Sequence, residues 1–311
     1  MSDAALRGAA GASARAQAKV NLRLRILARE TTGFHQLETL FLRLALADTV
    51  RVRRTSGVRS LDAAGEIDAR LLGPPERNLA WRAAAAFFDA AGWTGGFAIE
   101  LEKRIPVGGG LGGGSADAGA VLRVLEAIAP APLGGVALAR IATTLGADVS
   151  FLASEHPYAL AWGRGERMLA LAPPEQRQLL LVVPRVAVNT ARAYGWLAEA
   201  RESSGGAMAA DLALDVASLS DWSRLTELAI NDFEPVMTAR HPELRQCIDH
   251  LAAMGLRPAM MSGSGSTVFG VCPPGSAVDY RRQWTNAAHG TGATCIVTQS
   301  AIRVEPVLAL D

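Results

Sequence analysis

The segment Val20–Ile26 alternates strictly between apolar and polar residues, the period-2 pattern of a half-buried strand. Lys19 and Asn21 share parity with Arg23 and Arg25, so all four are predicted on the solvent face of that strand. Further strands are predicted at Thr49–Arg53 and Phe97–Leu101, with a helix over Leu79–Ala91 that Gly92 ends. From Ser115 onward Val121, Val124, Leu125 and Ile128 recur at i, i+3, i+4 and i+7, which predicts a helix stopped by Pro130 and Pro132. Another helix, Val136–Leu145, ends at Gly146 and delivers Asp148. Pro173-Pro174 and the polar residues to Gln178 read as a connection, after which Leu179–Val183 starts a second domain. That domain is predicted to hold a surface loop at Ser203–Gly206, helices at Trp222–Leu228 and Leu244–Met254, and a strand pair at Val268–Cys272 and Thr294–Thr298.

Length and composition narrow the class. A chain of 311 residues exceeds the usual single core, so two domains are expected. Half the residues are apolar and the net charge is +1, which offers no chain-wide field for nucleic acid or an anionic membrane. No apolar run reaches the roughly 18 residues needed to span a bilayer. Cys247, Cys272 and Cys295 lie far apart and read as buried free thiols of a cytoplasmic protein. The histidines His156, His241, His250 and His289 have no metal-like spacing, and no dedicated protein ligands for a metal are expected. Arg51, Arg53 and Arg54 read as a solvated strand edge, and residues 1–17 as a disordered tail.

The strongest local signal is Pro106-Val107 followed by Gly108, Gly109, Gly110, Leu111, Gly112, Gly113, Gly114 and Ser115. Each glycine costs roughly 1 kcal/mol relative to alanine if the loop is ordered, so a compensating gain is expected. Backbone N–H groups converging on an anion before a helix N-terminus supply one. Three readings compete: a flexible linker, a dinucleotide loop, and a triphosphate loop. The strand before and helix after the loop weigh against a linker. Gly108-x-Gly110-x-x-Gly113 satisfies G-x-G-x-x-G, but the acidic residue expected about 20 positions on is Glu126, inside the following helix. No Walker A motif occurs, so a triphosphate loop of another type is the preferred reading.

A phosphotransfer site also needs a second anion contact and a general base. Gly263, Ser264 and Gly265 form a second Gly/Ser turn just before a strand. Asp148 is a lone carboxylate between apolar stretches and needs a cation or donor if buried. Lys19 is one candidate, but spacing alone does not assign the pair.

These pieces, in this order, resemble the GHMP kinase superfamily over nearly the whole chain, Ala16 to Thr298. The resemblance rests on Ala18-Lys19-Val20-Asn21-Leu22, Gly33-Phe34-His35, Asn78-Leu79, Lys103–Pro106, the glycine loop, Leu145–Asp148, Asn231–Glu234 and Met261–Gly265. It implies an α+β fold, with an N-terminal domain (18–172) like ribosomal protein S5 domain 2 and a ferredoxin-like C-terminal domain (173–311). It implies ATP and Mg²⁺ as cofactors, and a small polyol carrying a cytidine diphosphate group as the substrate phosphorylated on its 2-hydroxyl. Homoserine- or mevalonate-type kinases and a silent sensor of the same fold are the alternatives. Asp148 is then the base and Lys19 the group that keeps it ionised. Asn21 holds the polyol, and Phe34, His35 and Tyr194 hold cytosine. Asn78, Leu79 and Lys103 line the adenine side, and Pro106 to Ser115 with Gly263–Gly265 bind phosphates. The chain departs from the family pattern at Phe34 (commonly Tyr), Ala116 (commonly Ser) and Ser150 (commonly Pro). The resemblance leaves open whether the protein is a monomer or a homodimer.

Overall fold

The computed structural model describes residues 6–30, 35–65, 73–203, 214–276, 278–287 and 292–310. The first half of the chain runs β1 (Gly11–Arg29), β2 (His35–Thr55), β3 (Ser60–Gly65), α1 (Leu79–Ala91), β4 (Gly96–Lys103), α2 (Gly113–Ile128), α3 (Gly135–Leu145), α4 (Ala147–Ala153), β5 (Tyr158–Gly163) and β6 (Arg167–Ala170). The second runs β7 (Gln178–Val183), α5 (Thr190–Ser203), α6 (Trp222–Leu228), β8 (Ile230–Asn231), α7 (Glu234–Arg240), α8 (Pro242–Ala253), β9 (Ala259–Met261), β10 (Val268–Val271), α9 (Tyr280–Ala287), β11 (Thr294–Gln299) and β12 (Leu308–Ala309).

One sheet has the order β12-β1-β2-β4-β3, with β5 and β6 continuing from β2 and β8 lying parallel to β1. Helices α1, α2 and α4 cover it. The other sheet is antiparallel with the order β11-β7-β10-β9, and helices separate β7 from β9 and β10 from β11. Ranked along the chain, those four strands lie 4-1-3-2, the ferredoxin-like arrangement. Mixed helix and sheet content makes the protein α+β, as expected.

The alternation in β1 serves two cores rather than one. Ala12 to Leu22 on the apolar face join the core under α1 and α2, whereas Leu24 and Ile26 join a second core with Leu180, Val182 and Met237. A strand passing between two cores is covered on both faces. Lys19, Asn21, Arg23 and Arg25 are therefore only 2% exposed, not on a solvent face as the alternation predicted. Register shifts next to Ala18 and Leu22 re-aim the side chains between them.

Other expectations also change. The strand starts at Gly11 and Leu6 is buried, so residues 6–17 are not a disordered tail. Helix α2 starts at Gly113, inside the glycine loop, and its flanks are buried all round rather than along one stripe. Strands β10 and β11 do not pair with each other but flank β7 on opposite sides. The Arg51–Arg54 segment lies in β2 between β1 and β4, away from any edge, although Arg53 and Arg54 face solvent. Cys247 and Cys272 are buried, Cys295 half-buried, and burial pushes each thiol up to about 11. Ser204–Gly206 and His289 lie outside the described residues.

Helices α2 and α4 touch backbone to backbone at Gly119. A Cβ there would stand 2.5 Å from both the carbonyl carbon and oxygen of Leu152. Gly119→Ala is expected to lower stability by about 1–3 kcal/mol despite the better helix propensity of alanine. A fall in the thermal unfolding midpoint checks this.

Candidate active site

A cleft of about 540 Å³ opens between the two sheets. Lys19 and Asn21 enter it from β1, Asp148 from the first turn of α4, and Tyr194 from α5. Asn78, Leu79, Lys103, Pro106, all residues from Gly108 to Ser115, and Gly263 to Gly265 complete the sequence-predicted set on its wall. His35 does not line the cleft itself, but its ring stacks on Tyr194 at 4.3 Å. Phe34 lies outside the described residues. Ala116 is 1% exposed in the core, so the missing hydroxyl there is not missing from the cleft; Ser115 faces it instead.

Lys19 and Asp148 meet. The ammonium is 3.3 Å from the carboxylate, whose side chain is 33% exposed and open to the cleft. Lys19 also donates to Asn21 Oδ1 at 2.6 Å, and Asn21 Nδ2 donates to Thr39 at 2.8 Å. A buried ammonium held by two oxygens has one position, and it directs charge at whatever Asp148 faces. Burial first, then the nearby Asp148 charge, pushes the Tyr194 phenol up to about 12.

The glycine loop is held from both sides. The Lys19 N–H donates to Leu111 O at 3.0 Å, and Thr267 N donates to Gly109 O at 3.1 Å. Ser262 Oγ donates to Gly110 O at 3.0 Å. At Gly110 φ is +78°, and a Cβ would stand 2.2 Å from Ser262 O, so only glycine fits. The first N–H groups of α2, free of intrahelical acceptors, follow directly and make the loop a site for anions.

Two supports have roles that the sequence does not assign. Behind the loop, Asp48 and Asp117 both accept from the Lys103 ammonium, and Asp48 Oδ1 accepts from Ile105 N at 2.8 Å. All three side chains are at least 97% buried. Burial holds the Asp117 carboxyl up, to about 7, against the pull of Lys103. Burial alone would push Lys103 down, but the two carboxylates outweigh it and hold its ammonium above the ordinary lysine value. The Lys103 side chain is thus a strut of the loop rather than a free contact. Asp48 is a lone carboxylate in the run Leu42–Val52, and that was its one sequence signal.

The second support is Asn231–Glu234. Asn231 Nδ2 donates to Met261 O and Gly263 O, each at 2.8 Å, and its Oδ1 accepts from Phe233 N at 3.0 Å. Glu234 Oε2 accepts from Met261 N at 2.9 Å, and Asp232 pairs with Arg25 at 3.2 Å. The motif therefore fixes the Gly263–Gly265 turn to β1 and hence to the glycine loop. Asn231→Ala is expected to raise amide hydrogen-exchange rates at Gly263–Ser266 by about tenfold or more. Exchange followed by mass spectrometry checks this.

Among the described residues no cluster of three His, Cys, Asp or Glu side chains forms a metal centre, and no helix is long and apolar enough to cross a membrane. Residues 78–158 match the GHMP kinases N terminal domain, and residues 208–296 match the GHMP kinases C terminal domain. GHMP kinases use ATP as phosphate donor. The 4-diphosphocytidyl-2-C-methyl-D-erythritol kinase of Nitratidesulfovibrio vulgaris (strain DP4) is 41% identical over 265 residues, covering 82% of this chain and 88% of the relative. The crystal structure of a 4-(cytidine 5'-diphospho)-2C-methyl-D-erythritol kinase is 35% identical with a TM-score of 0.70, covering 93% of this chain and 99% of that one. A homoserine kinase from Cytophaga hutchinsonii shares the fold at 19% identity, with a TM-score of 0.67 over 97% of this chain and 98% of its own. The chain belongs to the GHMP kinases and, within them, to the 4-diphosphocytidyl-2-C-methyl-D-erythritol kinase family.

Proposed function

We propose that this protein transfers the γ-phosphoryl group of ATP to the 2-hydroxyl of 4-diphosphocytidyl-2-C-methyl-D-erythritol, a step of the non-mevalonate route to isoprenoid precursors. The observation that carries it is the buried Lys19 ammonium, 3.3 Å from a cleft-facing Asp148 beside the glycine loop. The chain divides near residues 172 and 173 into an ATP-binding N-terminal domain and a C-terminal domain, with the reaction between them.

Asp148 takes the proton from the 2-hydroxyl. That oxygen bonds to the γ-phosphorus as the bond to the β–γ bridging oxygen breaks, and ADP leaves. Lys19 keeps Asp148 ionised and stabilises charge on the transferring group. Asn21, fixed by Lys19 and Thr39, holds the erythritol hydroxyls. Residues Gly108 to Ser115 and Gly263 to Gly265 grip the triphosphate; Asn78 and Leu79 border the adenine. Asn78 also caps α1 through Ala80 N.

Mg²⁺ fits a site of this composition, where it would arrive with the nucleotide and supply positive charge to the triphosphate. The protein oxygens suited to join its shell are the Ser115 hydroxyl and Asp117 Oδ1, a buried carboxylate oxygen with no hydrogen bond.

Phe34, His35 and Tyr194 form the cytosine end. Rings 4.3 Å apart admit no third ring, so the pyrimidine takes an outer face of the His35–Tyr194 stack or swings His35 out of it. His35→Ala is expected to raise KM for the cytidyl substrate far more than KM for ATP. Equal KM values for the cytidyl substrate in variant and wild type would count against cytosine recognition here.

Mixing the protein with ATP and 4-diphosphocytidyl-2-C-methyl-D-erythritol should release ADP. No turnover above background would sink the substrate assignment. Asp148→Asn is expected to lower kcat by about 100-fold or more, the scale of a general base. A nearly unchanged kcat would remove Asp148 from the mechanism even if the substrate were right.

A further inference from the structure

A second cavity, of about 690 Å³, lies on the far side of the first sheet's helices. It is bounded by the C-terminal half of α2, by α3, by the end of α4 and by residues 304–307. Its size is that of small-molecule sites, and its walls are mainly apolar, including Leu138, Met168, Val304 and Val307. None of the groups assigned to phosphotransfer reaches it.

Its polar wall includes a buried cation. Arg123 lines the cavity although it is only 5% exposed. Its Nε donates to Glu155 at 2.8 Å and its Nη2 to Glu305 O, while Nη1 has no hydrogen bond to any described residue. Close by, Arg43 is 1% exposed and is held by the carbonyls of Phe151, Ser154 and His156, with no ion pair among the described residues. Glu155 is thus the ion-pair partner of Arg123 alone, and its side chain is 69% exposed. Burial, then repulsion from Arg123, lowers Arg43 to about 9. The other acid on the wall, Glu126, accepts from Leu133 N and Gly134 N and keeps its charge, which the exposed Arg7 on the same wall balances. A buried guanidinium with one nitrogen unbonded at a largely apolar hollow is stabilised by an anion.

We propose that this cavity is a second ligand site, for a small organic anion with an apolar body. The anionic head pairs with Arg123 through its free Nη1, and the body lies against Leu138, Met168 and Val307. The site occupies the far ends of α2 and α4, whose near ends carry the glycine loop and Asp148.

The probe is 1-anilinonaphthalene-8-sulfonate, an apolar body with one negative charge; N-phenyl-1-naphthylamine serves as its uncharged counterpart. Fluorescence titrations compare the full-length wild type with three variants. Glu155→Gln removes an exposed competitor for Arg123 and should tighten the sulfonate by about two- to fivefold, without changing the uncharged dye. Arg123→Leu should weaken the sulfonate by about tenfold or more. Ala139→Trp, at an exposed position on the wall, fills the hollow and should abolish binding of both dyes while leaving the fold intact by circular dichroism. Equal sulfonate binding in wild type and Ala139→Trp would overturn the proposal, because the dye would then sit elsewhere. A sulfonate affinity unmoved by Glu155→Gln would overturn the role of Arg123, even if Arg123→Leu failed to fold.

Discussion

Burying the polar stripe of β1 is the constraint on which the rest of the structure depends. Lys19, Asn21, Arg23 and Arg25 lie between two hydrophobic cores, where an unpaired charge costs several kcal/mol. Each must therefore find a partner, and the partners come from distant parts of the chain. Lys19 finds Asp148 and Asn21; Arg23 finds Glu38; Arg25 finds Asp232. Those pairings join β1 to β2, α4 and the β8–α7 turn, so the requirement that closes the core also builds the Lys19–Asp148 corner of the cleft. Asp148 is held at the end of a chain of enforced contacts, and its geometry follows from packing.

The glycine loop answers a related problem in backbone form. A loop with so little side chain has high freedom when unfolded and almost no contacts of its own. It is kept in shape from outside by Lys19 N–H, Ser262 and Thr267 on one side and by the Asp48–Lys103–Asp117 cluster on the other. The cluster carries two carboxylates for one lysine. Burial first, and the second carboxylate after it, explain why Asp117 keeps its proton more readily than an ordinary aspartate. A cation bound beside Asp117 would favour the ionised form.

Much of this was legible from local chemistry. Glycine density marked the loop, and the end of α1 followed from Gly92, a left-handed stop. Asp148 stood out as a lone carboxylate in an apolar stretch. Asp48 was equally lone but sat in a strand without glycine or a cap beside it, so nothing local set it apart. Asn231–Glu234 was visible as a motif, yet its purpose lies in contacts with a turn about 30 residues later, which spacing does not encode. The polar face of β1 was misread for the same reason: alternation reports that two faces differ, not what covers the second one.

By itself the sequence determined the helices α1, α3, α6 and α8, the middle of β4 and of β7, and a glycine-dense loop between a strand and a helix. These depend on short-range propensity, capping and backbone freedom, which act within a few positions of the chain. Only the tertiary structure decided that Lys19 and Asp148 form one pair, that Lys103 is a strut, and that Ala116 belongs to the core rather than the cleft. Those outcomes turn on which surfaces the two sheets bury between them. Burial changes the energy of a charge far more than any neighbour in sequence can.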